Sequence, residues 1–161
     1  MSSRIYCGTW NKYNNGSLAG KWFDLSDYAD MDDFIAACQD FHKNEEDPEL
    51  MFQDWEGIPA VLVNYSWVSP DVWELMEVDN QEAAQAYIEC FGEWDKDDFE
   101  DRYRGHWASW VDMATELIEE SGDLESIPEH LRYYFDYEAY ARDLRCGGDF
   151  CENDGHFFCN N

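Results

Sequence analysis

A chain with 37 Asp and Glu residues against 10 Lys and Arg cannot fold with its charge inside. An unpaired carboxylate costs several kcal/mol to bury. At a formal net charge of −27, most of these acids have no base to pair with. They must lie at the surface, where they repel one another and oppose compaction. The core has to come from the rest of the composition. The 8 Trp, 10 Tyr and 10 Phe of this 161-residue chain can build compact cores from short segments, because each ring buries a large apolar area. That content, within a hydrophobic fraction of 45%, excludes wholesale disorder. The length suits one ordinary domain or two to three very small ones.

The same charge narrows function. It repels DNA, RNA and anionic membranes, and it steers basic partners toward the chain. No apolar run approaches the ~18–20 residues of a membrane span. The start, Met1 to Cys7, has no apolar leader core. The expected location is the cytoplasm, where the six scattered Cys are read as thiols. Cys146, Cys151, His156 and Cys159 follow C-x4-C-x4-H-x2-C, which fits no structural zinc pattern. No EF-hand, His-Glu-x-x-His, Gly-x-Ser-x-Gly or phosphate-loop motif occurs. The chain is therefore read as not an enzyme, with no catalytic residue, metal or cofactor. His42, His106 and His130 are isolated, and Arg132, Arg142 and Arg145 are expected to pair with local acids such as Asp136 and Glu138.

Periodicity predicts short mixed elements, hence an α+β class. Residues 4–10 and 18–24 read as strands around an Asn14-Asn15-Gly16 turn. Residues 31–42 read as a helix capped by Asp30, with Phe34, Cys38 and Phe41 on its apolar face. A polar loop, 44–49, leads to extended segments at 51–55 and 60–65. Ser69-Pro70 opens a short helix through Met76. Residues 81–91 form a clearer helix, with Ala84, Tyr87, Ile88 and Phe91 on one face. The segment holding Phe99, Tyr103 and Trp107 is ambiguous. Ser109 begins a capping box for a helix that ends at Gly122. A broken helical stretch runs from Ile127 to about Leu144, and 150–159 reads as a hairpin around Asp154-Gly155. Subdomain boundaries fall near 66 and 104: an N-terminal α+β part (1–66), a central mainly helical part (67–103) and a C-terminal α+β part (104–161).

The acids are patterned. Residues 1–21 hold none, 22–95 hold 20 acids against one base, and 96–161 hold 17 against six. Opposite the apolar stripes lie Asp32, Asp33 and Asp40; Asp71, Glu74 and Glu77; Glu82 and Glu89; and Asp112, Glu116, Glu119 and Glu120. The 44–49 loop adds Glu45, Glu46 and Asp47. Helix residues three or four apart have Cβ atoms ~5–6 Å apart, which gives a row of carboxylates spaced broadly like phosphates. Each such like-charge pair costs about 0.2–0.5 kcal/mol. The helix dipole favours acids only in a first turn, so it accounts for Asp71 or Asp112 and not for Glu119 and Glu120. At one charge per ~1.7 Å, the charge of one chain matches about 46 Å of B-DNA, and that of two chains about 27 base pairs. A solvated acidic face, or adaptation to high salt, would give a similar composition.

The sequence resembles the ArdA antirestriction family over nearly its whole length. The resemblance rests on Tyr6 and the segment from Asn11 to Trp22, with its Tyr13-Asn14-x-Gly16-x-Leu18-x-Gly20-x-Trp22 pattern. It rests further on Asp54-Trp55-Glu56-Gly57-Ile58-Pro59, on Glu119 to Leu124 with Ile127-Pro128, and on Tyr134 to Leu144. The resemblance implies an elongated, curved α+β chain of three small subdomains, built of small antiparallel sheets and short helices and paired as a homodimer. It implies carriage on mobile genetic elements and mimicry of B-form DNA. The implied partner is a type I restriction–modification enzyme, at its methyltransferase core and DNA-reading subunit. An antirestriction motif would fall within 123–140, drawing on Asp123, Leu124, Glu125, Ile127, Pro128, Leu131, Tyr134, Asp136, Tyr137 and Tyr140. Trp107, Trp110 and Val111 are candidates for a dimer contact. The tail beyond Leu144 is read as departing from the family pattern. An acidic binding module or chaperone for a basic protein is the alternative.

Overall fold

A computed structural model describes residues 2–160 and shows a mixed α+β chain, with eight α-helices and three small antiparallel sheets among those residues. No helix among them is long and apolar enough to cross a membrane. The chain forms two units, the first ending at Gln81 and the second beginning at Glu82.

The first unit is organised by β1 (Arg4–Thr9), the middle strand of a three-stranded sheet. Its alternation turns Ile5 and Cys7 into the core and leaves Arg4 and Tyr6 on the outer face. Thr9 caps α1 (Trp10–Asn14) by accepting from the Lys12 backbone N–H. Trp10, expected at the end of the strand, is thus the first residue of a helix. After a loop, β2 (Lys21–Asp24) returns along β1, and Asp24 caps a 3-10 turn, Leu25–Asp27. Asp30 caps α2 (Met31–Phe41). On the other side of β1 runs β3 (Leu50–Glu56). Its ladder slips between Tyr6 and Cys7, and Gln53 is the extra residue of a bulge. Gly8 leaves room for the Gln53 amide: a Cβ there would lie 2.5 Å from Nε2.

Residues 60–62, expected to be extended, form a 3-10 turn after Pro59. Two-residue strands β4 (Val63–Asn64) and β5 (Trp67–Val68) then pair, and α3 (Asp71–Met76) follows. Phe34 sits at the centre of this core, with ring centroids 5.9 Å from Phe23, 6.0 Å from Phe52 and 5.9 Å from Trp73. The Trp73 indole donates to the Leu25 and Tyr28 carbonyls, so its polar edge is also satisfied.

In the second unit α4 (Gln81–Phe91) buries Ala83, Ala84, Ala86, Tyr87 and Ile88. The ambiguous segment resolves into α5 (Lys96–Arg102), capped by Asp95, and β6 (Tyr103–His106). Ser109 caps α6 (Trp110–Ser121), which ends in a left-handed Gly122 at φ 75°. A 3-10 turn (Asp123–Ser126), α7 (Glu129–Arg132) and α8 (Tyr137–Cys146) follow, and α6 packs against α8. The hairpin of β7 (Phe150–Asn153) and β8 (His156–Cys159) turns at Asp154 and Gly155, both at positive φ, and β8 also pairs with β6. Adjacent residues of β8 feed two clusters. Phe158 joins Tyr87, Phe91, Phe99 and Tyr103, while Phe157 meets Trp107 and Trp110.

Two polar networks lock these cores. Lys12 Nζ donates to His42 Nδ1 (2.6 Å) and lies 3.2 Å from Glu45 Oε2, which also accepts from Thr9 Oγ1 (2.7 Å). His42 is fully buried, and its Nε2 donates to the Cys7 carbonyl (3.0 Å), which fixes the tautomer. In the second unit the Asp98 carboxylate accepts from the Tyr87 hydroxyl (2.6 Å) and from Arg102 Nε (2.7 Å). Those two donors hold the Asp98 carboxyl below its ordinary pKa, and burial beside Asp98 pushes the Tyr87 phenol up.

Phe34→Ala should cost about 3–5 kcal/mol in urea unfolding, and Ser109→Ala about 1 kcal/mol. Asp98 binds its proton less tightly in the fold than in the unfolded chain. Its contribution is therefore complete above the ordinary carboxylate range and is lost as pH falls through its lowered value. Wild type should accordingly be more stable than Asp98→Asn at about pH 6, with the difference closing below about pH 4.

Candidate functional site

Every one of the 37 carboxylates is exposed save Asp24, Glu45, Asp98 and Glu152, which are half-buried. Among the described residues three ion pairs form: Arg4–Glu56 (2.7 Å), Lys12–Glu45 (3.2 Å) and Arg102–Asp98 (2.7 Å). The surface charge is thus largely uncompensated by contact with bases. The acid-free N-terminal segment supplies two of the pairing cations, Arg4 and Lys12.

The helices set the layout. On α2, burial of Phe34 and Cys38 turns Asp32, Asp33 and Asp40 outward. On α3, burial of Val72, Trp73 and Leu75 leaves Asp71 and Glu74 exposed, and Glu77 follows at the C-cap. Glu82 and Glu89 flank the buried face of α4. Met113, Ala114 and Ile118 anchor α6, with Asp112, Glu116, Glu119 and Glu120 in solvent. Glu46 and Asp47 are exposed in the loop after α2. Glu45 is the exception. Its side chain is 14% exposed, because Thr9 and Lys12 draw it inward, and these partners lower its pKa.

Other acids have local work, expected from the sequence for Asp30 and not assigned there for Asp95 and Asp136. Asp30, Asp95 and Asp136 each accept from the backbone N–H three residues on, at 2.9, 3.0 and 3.0 Å, and so cap α2, α5 and α8. Asp136, read as part of the 123–140 motif, therefore has a structural role as the start of α8. Sequence reasoning nominated no acid on α5, yet Asp97, Glu100 and Asp101 stand exposed there. The Asp95-x-x-Asp98 capping spacing was the available signal.

Within 123–140, Leu124 and Ile127 are half-buried, Asp123, Glu125 and Pro128 are exposed, and Leu131 lies on α7 at 46% exposure. Tyr134 is 76% exposed and its neighbour Tyr133 88%. Tyr137 and Tyr140 pack on Phe135, with centroids 4.9 and 5.7 Å away. Arg132 departs from expectation. It donates to the carbonyls of Ile127 and Glu125 rather than to a nearby carboxylate, tying the turn before α7 to that helix. Trp107, Trp110 and Val111 are half-buried, both indoles lean on Phe157, and Trp107 Nε1 donates to Glu116.

The tail residues take separate partners. Cys151 lies beside Cys90, whose thiol burial and this neighbour push to about pKa 12. Cys159 Sγ accepts from Arg104 at 3.1 Å, and His156 Nδ1 lies 2.9 Å from the Tyr103 hydroxyl.

No curated protein matches the chain. The family model described as Antirestriction protein (ArdA) matches residues 5–158. The match runs on past Leu144, where the sequence was expected to depart from the family pattern, and takes in Cys146 and Cys151; Cys159 lies just beyond it. With the match covering both units and all three of the sequence blocks that suggested it, the chain belongs to the ArdA family of antirestriction proteins.

Proposed function

We propose that this chain mimics B-form DNA and competitively occupies the DNA-binding groove of a type I restriction–modification enzyme, at its methyltransferase core and DNA-reading subunit. The observation that carries the reading is the display of carboxylates: none of the 37 is buried, and rows of them stand on α2, α3, α4 and α6. In this reading the chain works in the cytoplasm as a homodimer of elongated, curved protomers with three small subdomains, and it is encoded on mobile elements. It catalyses nothing and needs no cofactor. Trp107, Trp110 and Val111 contribute to pairing, and the 123–140 segment supports inhibition.

The energetics follow from charge and rigidity. A basic DNA groove gains affinity by exchanging counterions for phosphates, and fixed carboxylates can capture the same gain without offering bases to read. Folded helices avoid the ordering entropy that a floppy acidic tail loses on binding. A shape already curved also avoids the several kcal/mol that bending DNA costs. Like-charge spacing on α6 disfavours the isolated helix, and selection for a partner would offset that cost.

Two outcomes test the reading. Inhibition of a type I enzyme should weaken at least about tenfold between about 0.05 and about 0.2 M salt, whereas an unchanged response would sink the charge mechanism. The variant Asp112→Asn, Glu116→Gln, Glu119→Gln, Glu120→Gln should lose at least about tenfold in inhibition while its Tm stays level or rises, because like-charge repulsion is removed. Capture of the enzyme that DNA cannot displace would instead favour an acidic binding module.

A further inference from the structure

The outer face of the β2–β1–β3 sheet carries two adjacent rows of side chains. In the first, Arg4 lies opposite Asp24 on one neighbouring strand and Glu56 on the other. Its Nε donates to Glu56 at 2.7 Å, and its guanidinium carbon stands 4.6 Å from the Trp22 ring centroid. In the second row, Tyr6 lies opposite Trp22 on one side and Asp54 on the other. Trp22, covered by Arg4 from the first row, is thus shared with the second, where the Tyr6 ring adjoins it and the Asp54 carboxylate also accepts from the Trp55 backbone N–H (2.8 Å). Trp10 and Tyr13 of α1, with Tyr65 between β4 and β5, wall this second row into an open groove of about 710 Å³, and no Lys or Arg lines it among the described residues.

We infer that this groove binds the guanidinium of an arginine side chain presented by a basic partner. Aromatic faces attract cations, and a planar guanidinium can stack on a ring while its N–H fork meets a carboxylate. Arg4 already makes that paired contact with Trp22 and Glu56 one row away. An anion is repelled by Asp54 and by the net charge of −27. An uncharged apolar ligand has no use for a carboxylate at the groove. That the arginine belongs to a restriction–modification enzyme rests on the function proposed above; the preference for a guanidinium does not.

The full chain is titrated with N-acetyl-arginine amide and, separately, with its uncharged isostere N-acetyl-citrulline amide, following the Trp indole N–H signals by NMR. The arginine compound should shift the Trp10 and Trp22 signals saturably, and the citrulline compound should not. Asp54→Asn should weaken the binding at least about fivefold, and so should Tyr65→Leu, whereas Asp79→Asn, at an exposed acid elsewhere in the same unit and outside the helix rows, should leave it unchanged. Equal shifts with citrulline would show a merely apolar groove. Equal losses for Asp54→Asn and Asp79→Asn, or none for either, would show diffuse attraction to an acidic surface. Any of these results overturns the inference. No enzyme is present in the titration, so its failure is distinct from a failure of the inhibition assays.

Discussion

The cost of moving a carboxylate out of water governs this chain. With acids outnumbering bases by 37 to 10, pairing cannot neutralise the surplus, so the acids face solvent and the interior is assembled from what remains. What remains is dominated by rings. Phe34 in the first unit and Tyr87 in the second each contact several others, largely edge-on or tilted, which suits the ring quadrupole. Elements only two to twelve residues long can be held this way because one ring fills the space of several aliphatic groups.

Where charge does enter the structure it is tightly engaged. Glu45 and Asp98 are the two half-buried acids that form ion pairs, and each also accepts from a neutral hydroxyl, of Thr9 and Tyr87 respectively. Asp30, Asp95 and Asp136 satisfy helix N-termini, where a negative group is electrostatically favoured. These acids help specify the fold. Those at the end of α6 do not: Glu119 and Glu120 sit where the helix dipole prefers bases, and no folding role explains them. Separating the two sets is what gives the family assignment a physical reading in this chain.

Much of this was legible in local sequence. α2, α4 and α6 follow from apolar periodicity, and Asp30, Ser109 and Gly122 mark ends where the structure has them. The Asp154-Gly155 hairpin follows from turn chemistry. The losses have local causes. α1 has five residues, too few for a period, and its Asn and Gly surroundings read as a turn. α5 was obscured because its cap and first turn are all Asp or Lys within a longer acidic run. Glu45 could not be distinguished from Glu46 and Asp47, because the partners that draw it inward lie more than thirty positions away. Asp136 could have been found, since the spacing from the capping carboxylate to the N–H donor of Ala139 is local.

The bulge in β3 has a consequence for which changes of length the sheet can accept. Phe52 and Trp55 are three positions apart yet oppose Cys7 and Ile5, which themselves alternate in step. Gln53 absorbs the odd residue, and Asp54 and Glu56 keep to the side of Tyr6 and Arg4 as a result. Removing Gln53 would leave a regular ladder with every partner retained. Removing a residue between Asp54 and Glu56 would reverse one end of the strand and turn a carboxylate toward Ile5. Within the paired run of this strand, Gln53 is thus the one residue whose deletion leaves both sides of the sheet as they are.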